Sequence, residues 1–226
     1  MCGKFTQQAN EAETIVIDMP AGTAPVSSPQ DTVTPMRFAS VLTLNARGDR
    51  VVRRMRWGFV PFDAPDQMKY GAKFIHARAE TVDTKPTFRD AFLKRRGLVV
   101  VDSFNEGEEV TPKKTQQYVV TPKERTRLAI AVIWERWGGP GPIPLDTFAM
   151  VTTPPNALIG TITDRMPAVI QSDQWAKWLG EEPASVQELK EMLAPFEGDW
   201  RMEAAPKASR PRPAGAGESD PQPSLF

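Results

Sequence analysis

Residues 128–134 read LAIAVIW, and this run decides the fold. Seven consecutive apolar residues, with Ile130, Val132 and Ile133 β-branched and Trp134 aromatic, suit a strand buried on both faces. Shorter runs of the same character lie at 98–101, 118–120 and 148–152, so sheet dominates the middle of the chain. Upstream, 41–44 and 51–57 enclose the turn-like 45–50 and predict a hairpin. Downstream, 173–179 stop at Gly180, a natural residue just past a helix end, and Ser185 with Glu188 forms a capping-box pattern ahead of Leu189, Met192 and Leu193. Pro195 closes that segment. A looser helical pattern at 7–17, carried by Ala9, Ala12, Ile15 and Val16, would end at Pro20. There is no internal repeat.

The chain has 226 residues, enough for one sizeable core and one site. Its 28 Lys and Arg balance 28 Asp and Glu, so a nucleic-acid partner would have to be met by a local basic surface rather than by bulk charge. One cysteine and one histidine exclude an internal disulfide, a zinc site of several thiolates and any histidine cluster. Neither a metal nor another cofactor is expected. No apolar run is long enough to span a bilayer and no signal-peptide pattern opens the chain, so cytoplasmic residence without membrane contact is the default.

Cys2 follows Met1 directly. Removal of that methionine would leave an α-amine and a thiol on adjacent carbons. Such a 1,2-aminothiol attacks an aldehyde through nitrogen and then closes through sulfur to a thiazolidine. With an amine pKa of about 7.7–8.0 and a thiol near 8.5, both nucleophiles are usable without a cofactor. A small residue at position 2 is also common for reasons unrelated to chemistry.

Five stretches carry a more specific signal: MCGKF at 1–5, RWGFVP at 56–61, HARAETVDTKPTFRDAFLKRRGLVV at 76–100, WERW at 134–137 and TTPPNALIGTITDRMPAVI at 152–170. In this order they resemble the successive motifs of the SRAP family (SOS response-associated peptidase), whose members are also called abasic-site processing proteins. The resemblance covers roughly residues 1–180. It implies a single compact α+β domain over 1–200, with a mixed-sheet, barrel-like core and flanking helices, and a cleft for single-stranded DNA with the N-terminal cysteine at its floor. It further implies that a ring-opened abasic deoxyribose links covalently to that cysteine in the DNA-damage response, that the protein is a monomer, and that it is found with the nucleoid. Cys2 matches the family nucleophile, and Glu106 matches the acidic residue that manages proton transfer. Arg78 and Arg165 match arginines that grip phosphates beside the lesion, Lys4 stands where arginine is usual, and Trp57 begins a motif on the DNA-facing side. Arg54, with Arg53, Arg56 and 94–96, could extend a basic track. Each has a plainer reading: Glu106 a solvated loop residue, Trp57 a core residue, Arg165 the partner of Asp164 or of a helix end.

Three positions depart from the family. His76 replaces an asparagine, Thr163 replaces a histidine, and Gly107 replaces a tryptophan. Threonine cannot shuttle a proton near neutral pH, whereas imidazole can. Either His76 supplies the missing acid-base function, or it only hydrogen-bonds as asparagine would. Two further readings of the whole are an adapter of weakened chemistry that binds single-stranded DNA and a thiol autopeptidase, the activity in the family name (a hydrolase rather than a lyase).

From Pro206 onward five prolines stand among Gly, Ala, Ser and charged residues, a composition that predicts disorder; 201–226 reads as a tail. Its end, Gln222-Pro223-Ser224-Leu225-Phe226, resembles the motif by which bacterial DNA-processing proteins dock on the replication sliding clamp. A peptide of residues 206–226 is expected to bind purified clamp, measured by fluorescence anisotropy, and Leu225→Ala with Phe226→Ala to abolish binding; equal affinity would remove this reading.

Overall fold

The architecture comes from a computed structural model, which describes residues 2–7, 31–112, 114–123, 127–139 and 144–205. The strands are β1 (Lys4–Gln7), β2 (Asp31–Val33), β3 (Phe38–Leu44), β4 (Arg50–Trp57), β5 (His76–Arg78), β6 (Arg96–Val101), β7 (Ser103–Thr111), β8 (Lys114–Pro122), β9 (Leu128–Trp137), β10 (Leu145–Thr153), β11 (Met166–Pro167) and β12 (Trp200–Ala204). One sheet runs β12-β8-β7-β1-β2. In the other, β10 pairs with β4, β4 with β3, β3 with β6, β6 with β9, and β9 again with β10. Those pairings close a five-stranded ring, the barrel-like core that the sequence implied. β5 and β11 are added on β10 beyond the ring.

The run at 128–134 is part of β9 and is buried on both faces, as its composition requires. Leu128, Ile130 and Val132 turn to a core with Cys2, Phe5, Trp57, Phe104 and Phe148. Ala129, Ala131 and Ile133 turn to a second core with Phe88, Phe92 and Trp178. Alanines at 77, 129, 131, 149 and 168 leave the second face shallow, and aromatic side chains of the helices Pro86–Lys94 and Trp175–Leu179 fill it. The Trp178 indole donates to Gly97 O at 2.9 Å, so its polar end is satisfied in that core.

The predicted hairpin is β3–β4, turned by Asn45, whose Oδ1 accepts the backbone N–H groups of Arg47 and Asp49. The helical segment before Gly180 is a 3-10 turn, Ser172–Gln174, followed by the short helix Trp175–Leu179. The Ser185–Glu188 capping box is formed in both directions on the helix Val186–Glu191. β1, β2, β5, β7, β11, β12 and the helices Gln67–Lys73 and Pro86–Lys94 are additions to the sequence reading. The helical pattern at 7–17 falls almost wholly within 8–30, and the tail from 206 with Gln222, Leu225 and Phe226 also lies outside the described residues. β12 carries the ordered sheet through Ala204, past residue 200.

Two glycines with positive φ differ in what surrounds them. Gly180 (φ +99°) ends its helix, and a Cβ there would meet only the Arg96 Nη2 atom at 3.4 Å. Gly58 (φ +136°) is wedged so that a Cβ would lie 2.7 Å from Gly71 O. Gly180→Ala is therefore expected to cost about 1 kcal/mol and Gly58→Ala clearly more, roughly 3 kcal/mol, in urea unfolding midpoints.

Candidate functional site

β1 lies between β2 and β7, and its register pairs Lys4 with Asn105 and Phe5 with Phe104. The next residue of β7, Glu106, therefore runs past the start of β1 toward Cys2. Both are fully buried. The Cys2 backbone N–H lies close enough to the Glu106 carboxyl, and the Asn105 N–H close enough to the Cys2 thiol, for each to favour the ionised form. The Cys2 thiol in turn approaches Lys4 O at 3.5 Å. Glu106 is thus neither in a loop nor solvated. Burial pushes its carboxyl up to about 7; the charge of the terminal amine and then the nearby Cys2 N–H oppose the rise, and the charge of Asp164 adds to it. Burial also pushes the Cys2 thiol far up, and the charge of Glu106 reinforces it.

His76 enters from β5. Its Nε2 lies 2.8 Å from Cys2 O, and because a carbonyl can only accept, Nε2 carries the proton and donates it. Burial brings its pKa down to about 4, and the nearby Arg165 charge adds to this against the Cys2 carbonyl bond. Imidazole here is neutral and occupied as an amide N–H would be. Trp57 stands edge-on to His76 at 5.9 Å between ring centroids, lies 5.3 Å from Phe5 and 6.3 Å from Phe148, and donates its indole N–H to Ile75 O at 2.8 Å. It is a fully buried wall of the site, with no face open to a base. Thr163, half-buried, follows the 3-10 turn Ile159–Thr161, with its N–H on Ile159 O; its neighbour Asp164 is close enough for its charge to act on Glu106.

The arginines sort into two kinds. Arg78 is exposed, makes no ion pair among the described residues, and stands two residues from His76 on the same face of β5. Arg165 is buried: its guanidinium forks onto both oxygens of Glu80 and also donates to Thr152 O. Its partner is therefore Glu80 rather than Asp164 or a helix end. Arg54 is exposed over the Phe38 ring at 4.4 Å, on the face of β4 opposite Met55 and Trp57, which turn to the Cys2 core. A continuous basic track is not formed. Arg53 reaches Thr43 and Asp146, Arg56 is buried on Gln67, Lys94 and Arg95 pair with Asp90, and Arg96 donates to the carbonyls of Phe92, Leu93 and Trp178. Lys4 is half-buried in β1. At Gly107 a Cβ would meet Gln117 Nε2 at 2.7 Å and Thr115 Cγ2 at 2.8 Å, so side chains of β8 crowd the position where the family carries tryptophan. No group of three potential metal ligands occurs among the described residues. Residues that the sequence reading passed over are Asn105, near the thiol, and Glu80, at Arg165; the second lies in the HARAET stretch, two residues from the motif arginine Arg78.

A family model described as SOS response associated peptidase (SRAP) matches residues 1–209. The abasic site processing protein YoqW of Bacillus subtilis is 33% identical over 206 residues, which covers 88% of this chain and 89% of that protein. The abasic site processing protein HMCES of Xenopus tropicalis is 25% identical over 170 residues, 66% of this chain and 51% of its own length. Among solved structures, a protein from Bacteroides thetaiotaomicron has a TM-score of 0.80 at 22% identity, over 91% of this chain and 93% of that one, a likeness of fold.

The two titrating groups make opposite contributions to stability. An unfolded imidazole binds its proton near 6.5 and His76 only near 4, so the unfolded chain holds more protons in that interval and stability drops as pH falls through it. Glu106 keeps its proton to about 7 against an ordinary 4.5, so stability drops as pH rises through that interval. Urea unfolding between pH 4 and 8 is expected to show His76→Asn removing the acid-side loss and Glu106→Gln the loss toward neutrality.

Proposed function

This chain belongs to the SOS response-associated peptidase (SRAP) family, and from that premise we propose that it captures abasic sites in single-stranded DNA as a covalent crosslink through Cys2. The observation that carries the proposal is the full burial of the Glu106 carboxyl beside the Cys2 backbone nitrogen. Once Met1 is removed, that nitrogen is the α-amine, and it already faces a carboxyl that exchanges its proton near neutrality.

The chemistry follows from these contacts. The neutral amine adds to C1′ of the ring-opened deoxyribose, forming an N–C bond and a carbinolamine. Glu106 gives its proton to the hydroxyl, water leaves, and an imine forms; this is a task suited to an acid with a pKa near 7. The thiol, held protonated by burial, then adds through sulfur to the same carbon, and its proton passes to nitrogen. A thiazolidine results, and no cofactor takes part. His76 holds the carbonyl of Cys2 and the Lys4 carbonyl meets its thiol, so the residue is oriented before the aldehyde arrives. His76 acts as the orienting group, not as the missing acid, because it is neutral and its only proton is committed to Cys2 O. Thr163 adjoins Asp164, whose charge acts on Glu106. Arg78 is the phosphate contact of this reading, and the tail residues Gln222, Leu225 and Phe226 are its tether to the clamp.

The same contacts disfavour a thiol peptidase, which needs a thiolate activated by a neighbouring imidazole. Here imidazole bonds to the carbonyl of Cys2, and the thiol is held protonated.

Intact-mass measurement is expected to show loss of Met1 and the added mass of an abasic single-stranded oligonucleotide. Cys2→Ala should give no adduct. Glu106→Gln should slow capture roughly a hundredfold and flatten the alkaline limb of a rate profile that otherwise peaks near neutrality. A wild-type mass that stays unchanged with abasic DNA would overturn the proposal.

A further inference from the structure

Arg165 has more constraints than a phosphate-binding arginine needs, and their geometry points elsewhere. It is 8% exposed. Nη1 and Nη2 bond the two oxygens of Glu80, and Nη2 also lies 2.6 Å from Thr152 O and 3.3 Å from Thr152 Oγ1. These partners belong to different segments. Thr152 lies on β10 at the point where that strand pairs with β5 through Arg78 and with β11 through Pro167. Glu80 belongs to the turn after β5, whose first residue, Ala79, donates its N–H to the same Thr152 O at 2.8 Å. Arg165 itself ends the segment that carries Thr163. The turn is also held from behind: Lys190 Nζ donates to Ala79 O at 2.6 Å, to Glu80 O at 3.0 Å and to Asp83 Oδ1 at 2.6 Å.

We propose that Glu80, Arg165 and Thr152 form a clamp that positions the His76 strand against the Thr163 segment beside Cys2, and that Arg165 serves the reaction through this clamp rather than by gripping DNA phosphate. Glu80 stands four residues after His76, and Arg165 two after Thr163, so a loosened fork displaces both at once. A phosphate that took Arg165 would have to strip away Glu80 and Thr152 O from a buried cation, an exchange with little net gain. Arg78, exposed and without an ion pair among the described residues, has no such competitor. Lysine cannot replace the fork, because it keeps the charge but cannot serve both carboxylate oxygens and the carbonyl in one plane. The positive charge held beside His76 also favours neutral imidazole, in keeping with its role as a donor to Cys2 O.

The expected effect on capture rests on the function proposed above, but the clamp can be read without DNA, because His76 is the only histidine in the chain. Full-length protein labelled with 15N-histidine is compared for wild type, Arg165→Lys, Glu80→Gln and Arg78→Ala. Wild type and Arg78→Ala should show one imidazole in the Nε2–H form. Arg165→Lys and Glu80→Gln should shift that resonance or split it between tautomers. In capture assays with an abasic oligonucleotide, Arg165→Lys and Glu80→Gln should lower the maximal rate roughly tenfold to a hundredfold with half-saturation little changed. Arg78→Ala should instead raise half-saturation and lower the slope of log affinity against log salt by about 1. The clamp is overturned if Arg165→Lys keeps the wild-type His76 spectrum and maximal rate while weakening affinity and salt slope as Arg78→Ala does. Should Arg165→Lys fail to fold, Glu80→Gln decides by the same resonance, and an unchanged spectrum there is equally fatal. A protein that forms no adduct in any variant sinks the proposed function and leaves the clamp to be judged by the spectrum alone.

Discussion

Everything at this site depends on holding one residue near the start of the chain, where polypeptides are ordinarily least ordered. Cys2 is bonded through its carbonyl to His76 and through its sulfur to the Lys4 carbonyl, with the Glu106 carboxyl beside its nitrogen and the Asn105 N–H beside its thiol. Only a strand paired on both edges could deliver such constraint so close to an end. β1 meets that need between β2 and β7, and the β1–β7 register sets Glu106 beside the cysteine nitrogen. Burial then sets the protonation states: it raises the carboxyl toward neutrality, keeps the thiol protonated and keeps the imidazole uncharged. These three groups carry little net charge near neutral pH, which lowers the cost of burying them together.

The balanced charge of the chain acquires meaning only in three dimensions. Acidic side chains claim some of the arginines that looked available for DNA: Arg53 reaches Asp146, Arg95 pairs with Asp90 and Glu135, and Arg165 with Glu80. Among those candidates Arg78, beside the site, and Arg54, on the other face of β4, are exposed and make no ion pair among the described residues.

How far this was legible beforehand depends on where the signal lay. The run at 128–134 carries its own evidence, since its shortness and its β-branched and aromatic residues favour a strand covered on both faces over a buried helix. The capping box at Ser185 and the stop at Gly180 are equally local. The helix Pro86–Lys94 was legible too, with proline at its first turn and Phe88, Ala91 and Phe92 at helical spacing, but within a motif stretch it was passed over. β7 was hidden for a physical reason: SFNEGEEVT reads as a polar loop, because its buried glutamate is held by a partner far away in sequence. Of the candidate site, Cys2, Glu106 and His76 do converge, and resemblance, not periodicity, pointed to them. The pairing of Arg165 with Glu80 across 85 residues could not be read from either motif alone.

β10 is bonded along both edges, to β9 and β11 on one side and to β4 and β5 on the other. It closes the ring and also carries the wall of the site that bears His76. That wall therefore inherits the stiffness of the whole domain: its amide hydrogens can exchange with solvent only when the ring itself breathes. The opposite wall, on β1, leans on three-residue β2 at the rim of its sheet. That wall is buttressed by β7 on its other edge, so the two walls of the site draw their support from separate sheets.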